Sequence, residues 1–220
     1  MNSRFFRLGI CALLLLGYQA LFAQPFANDI RAFKKQDSVQ FPPQHAILFI
    51  GSSSFTNWKD VQDYFPGYPI INRGFGGSSL PDLIRYSDDI IFPYHPKQIV
   101  IYCGDNDLAI SDTVSSETVV RRFETLFSMI RKKMPGVNML YVSIKPSPSR
   151  ARLKAKAEKA NAMIRKFIAS QENITYIDVY HPMLGSDGKP IPEIFREDSL
   201  HMNAGGYAIW QKLIQPYLAK

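Results

Sequence analysis

The 220-residue sequence predicts a three-layer α/β/α sandwich built on a five-stranded parallel sheet. Three observations point there. Five short runs are apolar almost throughout, as in strands covered on both faces. Helix-period segments separate several of them. Polar, glycine-rich stretches follow the strands, where an open parallel sheet gathers its ligands.

The predicted strands are 46–50, 69–72, 98–102, 139–144 and 174–179. Phe26, Ile30 and Phe33 have the spacing of a short helix packed on the sheet. In 117–134, Val119, Val120, Phe123, Leu126, Phe127, Ile130 and Met134 make one apolar helix face. Glu117 suits its first turn, Arg131, Lys132 and Lys133 suit its last, and Pro135-Gly136 ends it. Over 149–170 the face is Leu153, Ala157, Ala160, Ile164, Phe167 and Ile168. A last helix begins after Asn203, a good N-cap, and carries Tyr207, Trp210, Leu213 and Ile214.

Residues 1–23 read as a secretory signal peptide. Arg4 and Arg7 precede the apolar run Leu8–Leu16, which is too short to span a bilayer, and Leu21-Phe22-Ala23 offers a cleavage site. Cleavage after Ala20 is the alternative. Ile10 before Cys11, and an apolar run that continues past it, argue against a lipoprotein site. The expected product is one domain over 24–220, secreted or periplasmic, with Cys103 as its single cysteine and no internal disulfide.

The formal charge of +7 raises the question of nucleic acid. The excess lies largely on two predicted helices, at Arg121, Arg122, Arg131, Lys132 and Lys133 and at Lys154, Lys156, Lys159, Arg165 and Lys166. These read as solvated faces, and no nucleic-acid motif accompanies them. No histidine pair has zinc spacing on one helix face, and Asp105-Asn106-Asp107 lacks the spacing of a calcium loop, so no metal is expected.

The chemistry gathers at the strand ends. Gly51-Ser52-Ser53-Ser54 follows the first strand, Arg73-Gly74-Phe75-Gly76-Gly77-Ser78-Ser79 the second, and Gly104-Asp105-Asn106-Asp107 the third; Asp198-Ser199-Leu200-His201 lies beyond the fifth. A serine nucleophile needs an imidazole to take its proton, and the imidazole needs a carboxylate to fix its tautomer. One helical turn would set Asp198 beside His201. The Gly77 amide and the Asn106 carboxamide suit an oxyanion.

In this order, the blocks Ile47–Ser53, Asn72–Gly77, Gly104–Asp107 and Asp198–His201 resemble the SGNH hydrolase family, the GDSL-type lipases and esterases. The resemblance implies a flavodoxin-like fold and no cofactor. It makes Ser53 the nucleophile, Gly77 and Asn106 oxyanion donors, His201 the general base and Asp198 its orienter. The family usually reads Gly-Asp-Ser in the first block; here Ser52 stands at the Asp position, which leaves Ser52 and Ser54 as rival nucleophiles. The implied activity is hydrolysis of acyl esters, on O-acylated carbohydrates or lysophospholipids, by way of an acyl-enzyme. An O-acyltransferase on the same residues and a non-catalytic glycan-binding domain are the alternatives.

Arg73, Ser78, Tyr180 and His181 are candidate substrate contacts, and Trp58 and Tyr180 could line a sugar site. Lys145-Pro146-Ser147 lies on the same edge, as a substrate contact or a rigid loop. Asp178-Val179-Tyr180-His181 repeats the Asp-x-x-His spacing. Strand alternation would point Asp178 and His181 to opposite faces, so a direct pair is expected only if that strand ends early.

Overall fold

The computed structural model describes residues 25–220. The signal-peptide reading lies outside the described residues. Five parallel strands, β1 (Ile47–Gly51), β2 (Ile70–Gly74), β3 (Gln98–Tyr102), β4 (Asn138–Val142) and β5 (Ile174–Ile177), pair in the order β2-β1-β3-β4-β5. This is the predicted sheet, and the order is the flavodoxin-like one. The strand ends differ from the expectation by up to two residues: β2 runs two residues further, and β4 and β5 both stop two residues early.

Alternation along the strands builds two cores. Leu48, Ile50, Ile99, Ile101, Met139 and Tyr141 join the cluster on one face. Ile47, Phe49, Val100, Tyr102, Leu140 and Val142 join the other. This explains why the strands are apolar throughout: both faces are covered.

The first face is covered by α1 (Ala27–Val39), α4 (Leu80–Arg85), α5 (Ser87–Ile90), α7 (Ser116–Lys133) and α8 (Lys154–Ile168). Between them in the chain come α2 (Ser53–Thr56), α3 (Val61–Tyr64) and α6 (Asp105–Ala109). Of these, α2 and α3 pack on the second face with the last helix, α9 (Ala204–Ile214).

Helix starts follow the chemistry expected of them. The Ser115 side chain accepts from the Thr118 amide ahead of α7, and Asn203 Oδ1 accepts from Gly205 and Gly206 ahead of α9. The segment predicted as one helix from 149 begins instead as a 3-10 stretch, Pro148–Leu153, because non-helical backbone at Arg150 interrupts it before α8. The N-terminal helix is longer than expected, at 13 residues.

Several basic residues read as solvated have internal partners; Lys156 Nζ, for one, donates to the carbonyls of Asp112 at 2.7 Å and Val114 at 3.0 Å. Arg122 Nη1 reaches the fully buried Asp107 at 2.7 Å. Arg131 donates to the carbonyls of Pro135, Val137, Glu172 and Asn173, tying the end of α7 to the turn before β5. Trp58 is not a surface aromatic. It is fully buried and stacked on Tyr207 at 4.7 Å between centroids.

Candidate active site

The sheet register brings the relevant loops together. Gly51 pairs with Gly74 on one side and Tyr102 on the other, so the chain leaves β1, β2 and β3 at one level. The strand order reverses between β1 and β3, and the crevice at such a switch point is where open α/β sheets bind ligands.

Gly51 permits the turn that presents the first serines. Its φ is +152°, and a Cβ there would lie 2.0 Å from the Tyr102 carbonyl oxygen. Only glycine fits. Ser52 and Ser54 are turned inward, at 4% and 3% exposure. Ser53, at the start of α2, is partly exposed, and its Oγ lies 2.9 Å from His201 Nε2. Of the three rivals, Ser53 is the one in contact with a histidine.

His201 is held from behind. Its Nδ1 lies 2.6 Å from Asp198 Oδ2. Asp198 Oδ1 accepts from the backbone amides of Leu200 at 2.9 Å and His201 at 2.8 Å. The expected helical turn is absent. A short antiparallel bridge, Phe195–Met202, closes the segment, with Ser199 in the left-handed region at φ 55°. Ser149 fixes the loop from outside, through bonds from its amide and Oγ to the Ser199 carbonyl. Burial pushes the Asp198 carboxyl up, but the His201 amide and ring and the Leu200 amide outweigh it and bring its pKa to about 2.

The donor side comes from two loops. Gly77 has φ +85°, and the ring of Phe26 lies 3.7 Å from where its Cβ would be. The neighbouring Gly76 passes close to Ser53: a Cβ there would be 3.9 Å from the Ser53 Cβ. Among the described residues, the Ser53 and Gly77 amides donate to no backbone carbonyl. Asn106 Nδ2 donates one bond to the Ser78 carbonyl at 3.0 Å, which orients the amide and leaves its second hydrogen over. Asp107 is a brace: its Oδ2 accepts from the Leu80 amide at 2.9 Å and its Oδ1 meets Arg122. Burial raises its pKa above the ordinary value.

The arrangement can therefore deprotonate a serine hydroxyl and offer donors beside it. Among the described residues no group of three or more His, Cys, Asp or Glu side chains could hold a metal ion. A profile of the GDSL-like lipase/acylhydrolase family matches residues 49–209, which include Ser53, Gly77, Asn106, Asp198 and His201. The chain belongs to the GDSL-like lipase/acylhydrolase family.

As a GDSL-family protein it is a carboxylic ester hydrolase. Solved structures share its fold. A Streptococcus pneumonia protein whose name refers to platelet activating factor aligns with TM-score 0.76 and 19% identity, over 99% of this chain and 100% of that one. A GDSL-like lipase from Bacteroides thetaiotaomicron aligns at 0.72 and 21%, over 85% and 95%. A variant of an acetyl-xylooligosaccharide esterase from Geobacillus aligns at 0.63 and 14%, over 80% and 97%. No curated protein matches the sequence.

The expected substrate contacts fare unevenly in this GDSL-family site. Arg73 is buried; it donates to Asp37 at 2.5 Å, to the Tyr94 hydroxyl at 2.7 Å and to the Asn72 carbonyl, fastening α1 to β2. Ser78 is also buried, and its Oγ donates to the Gly51 carbonyl at 3.1 Å. Both act as structural ties. Tyr180 is buried with its hydroxyl on Glu158, yet it lines a cavity at the β4–β5 end of the sheet.

His181 is exposed and does pair with Asp178, at 2.7 Å, the case reserved for a strand that ends early. The strand ends at Ile177, so Asp178 begins a turn and alternation no longer applies. Among the described residues, no serine meets His181 Nε2. The sequence reading missed Phe26 as the neighbour of Gly77 and Ser149 as the anchor of the acid loop. Neither has a motif; each acts through position alone.

Proposed function

We propose that the protein is a secreted esterase in which Ser53, His201 and Asp198 act as a catalytic triad. Ser53 Oγ attacks the ester carbonyl as His201 Nε2 takes its proton. The amides of Ser53 and Gly77 and the side chain of Asn106 receive the oxyanion. His201 returns the proton to the departing alcohol, leaving an acyl group on Ser53. Water, deprotonated by His201, then releases the acid and restores the serine. The observation that supports this reading is the row Ser53 Oγ–His201 Nε2 at 2.9 Å and His201 Nδ1–Asp198 Oδ2 at 2.6 Å.

The substrate class we propose is a short O-acyl ester of a carbohydrate. Two observations support it: the signal-like residues 1–23 would export the protein to where glycans lie, and one fold relative is by name an esterase of acetylated xylooligosaccharides. Lysophospholipid esters are the competing class. The test is turnover of p-nitrophenyl esters of graded length, then of acetylated sugars and a lysophospholipid, by wild type and Ser53→Ala. Acetyl esters should be preferred and the variant inactive. Preference for the lysophospholipid would overturn the substrate class, and an active Ser53→Ala would overturn the triad.

A further inference from the structure

A cavity of about 570 Å³ lies between the segment after β4 and the loop 184–193. Its size suits a small ligand. Neither Ser53, Asn106 nor His201 lines it, yet it adjoins their loops: Asp105 precedes Asn106, and Ser149, in the cavity-side segment, holds the Ser199 carbonyl. Its walls are largely apolar, with Pro146, Pro148, Ala151, Leu153, Leu184 and Ile191.

One group is out of keeping with those walls. Lys145 lines the cavity with its side chain 1% exposed. An ammonium has three donors, and Ser147 Oγ, at 2.8 Å, accepts one of them. The nearest carboxylate, Asp105, stands 4.0 Å away, beyond hydrogen-bond reach, and is shared with Arg150, also at 4.0 Å. A buried cation so incompletely paired is costly. Burial accordingly lowers the Lys145 pKa.

The incompletely paired Lys145 among apolar walls selects the occupant. Toward the rim, Lys189 meets Asp187 at 3.9 Å and Lys154 meets Glu158 at 3.9 Å. On the floor, Lys145 and Arg150 share Asp105 as the one carboxylate within 4.0 Å among the described residues, a local excess of one positive charge. We propose that this cavity binds an amphipathic monocarboxylate, its apolar body against the proline and leucine walls and its carboxylate on Lys145 Nζ and Ser147 Oγ. A monoanion matches the excess. The inference does not need the triad, because no triad residue lines the cavity.

The test is calorimetric titration of wild type, Ser53→Ala, Lys145→Met and Leu184→Trp with octanoate, octan-1-ol and octylamine. Octanoate should bind wild type and Ser53→Ala alike, with octanol at least about tenfold weaker and octylamine weaker still. Lys145→Met should weaken octanoate at least about tenfold while leaving octanol unchanged. Leu184→Trp, a change at the partly exposed wall, should block both and decides the matter if Lys145→Met fails to fold. Absence of octanoate binding to wild type, equal octanoate affinity in Lys145→Met, or undiminished binding in Leu184→Trp would overturn the proposal. Loss of octanoate binding in Ser53→Ala would place the ligand at the triad instead. Turnover by wild type, measured separately, reads the esterase proposal on its own.

Discussion

Asp198 holds His201 at two points, the ring through Oδ2–Nδ1 at 2.6 Å and the backbone amide through Oδ1 at 2.8 Å. One carboxylate thereby fixes both the orientation of the imidazole and the path of the chain that carries it. The Leu200 amide adds a third donor. Such bonds favour the charged form, which is why the pKa falls to about 2 although burial acts the other way.

The first prediction follows from that shift. A carboxyl held below its unfolded value contributes stability that is present above the ordinary value of 3.8 and is lost as pH falls through about 2. The thermal stability advantage of wild type over Asp198→Asn should therefore be full at neutral pH and shrink as pH falls below 4. Since Asp198 stays ionised near neutrality, it does not set the acid limb of kcat/KM. Asp198→Asn should lower kcat/KM by about 10²–10⁴ at neutral pH, through loss of ring orientation and of charge against the imidazolium. Melting curves and pH–rate profiles of the two proteins check both statements.

A fluorophosphonate should label Ser53. Ser52 and Ser54 are buried in the turn, and the Ser54 carbonyl is further tied by the Tyr207 hydroxyl at 2.8 Å. Peptide mapping should place the adduct on Ser53 in wild type and find none in Ser53→Ala. An adduct on Ser54 would mean that the turn opens far more than its packing allows.

Asn106 and Asp107 are neighbours with separable roles. On the proposed mechanism Asn106→Ala removes a donor to transition-state charge, so kcat should fall by about 10²–10³ with KM little changed. Asp107→Ala leaves Arg122 and the Leu80 amide without their acceptor. It should cost about 3 kcal/mol of stability, the low end for a broken buried pair because Arg122 is part-exposed. Steady-state kinetics and urea denaturation of both variants separate the effects.

Gly51→Ala should be among the most damaging single changes. The added methyl would meet the Tyr102 carbonyl oxygen at 2.0 Å, and φ +152° is closed to alanine. Both partners are backbone in the sheet centre, so neither can give. A loss of about 3 kcal/mol or more is expected, read as a lowered denaturation midpoint.

The sheet was legible in the sequence because strands buried on both faces need no alternation. The four residues each of α2 and α3 were not, since so short a helix shows no period. Arg73 at a strand end reads as a ligand contact; its partner Asp37 lies 36 residues earlier, on a helix whose docking no local pattern reveals. The spacing of Asp198 and His201 was readable, and the geometry joining them was not. A left-handed Ser199 and the Phe195–Met202 bridge do what a helical turn was expected to do.

The Asp178–His181 pair is the sharpest control on that site. It repeats the geometry of the other: Asp178 Oδ2 lies 2.7 Å from His181 Nδ1, and Oδ1 accepts from the amides of Tyr180 and His181. What differs is the far side of the ring. His201 Nε2 faces Ser53, whereas the His181 side chain is 74% exposed. If an oriented imidazole sufficed, either histidine would serve; if the base must touch the serine, one will. His201→Ala should remove nearly all turnover, about 10⁴-fold or more, and with it the rise of kcat/KM on the acid side. His181→Ala should keep both that rise and kcat within about twofold, since it deprives no reacting atom of a partner. Profiles of kcat/KM against pH for the two variants decide it. Loss of the rise in His181→Ala, with its retention in His201→Ala, would move the base to the other pair.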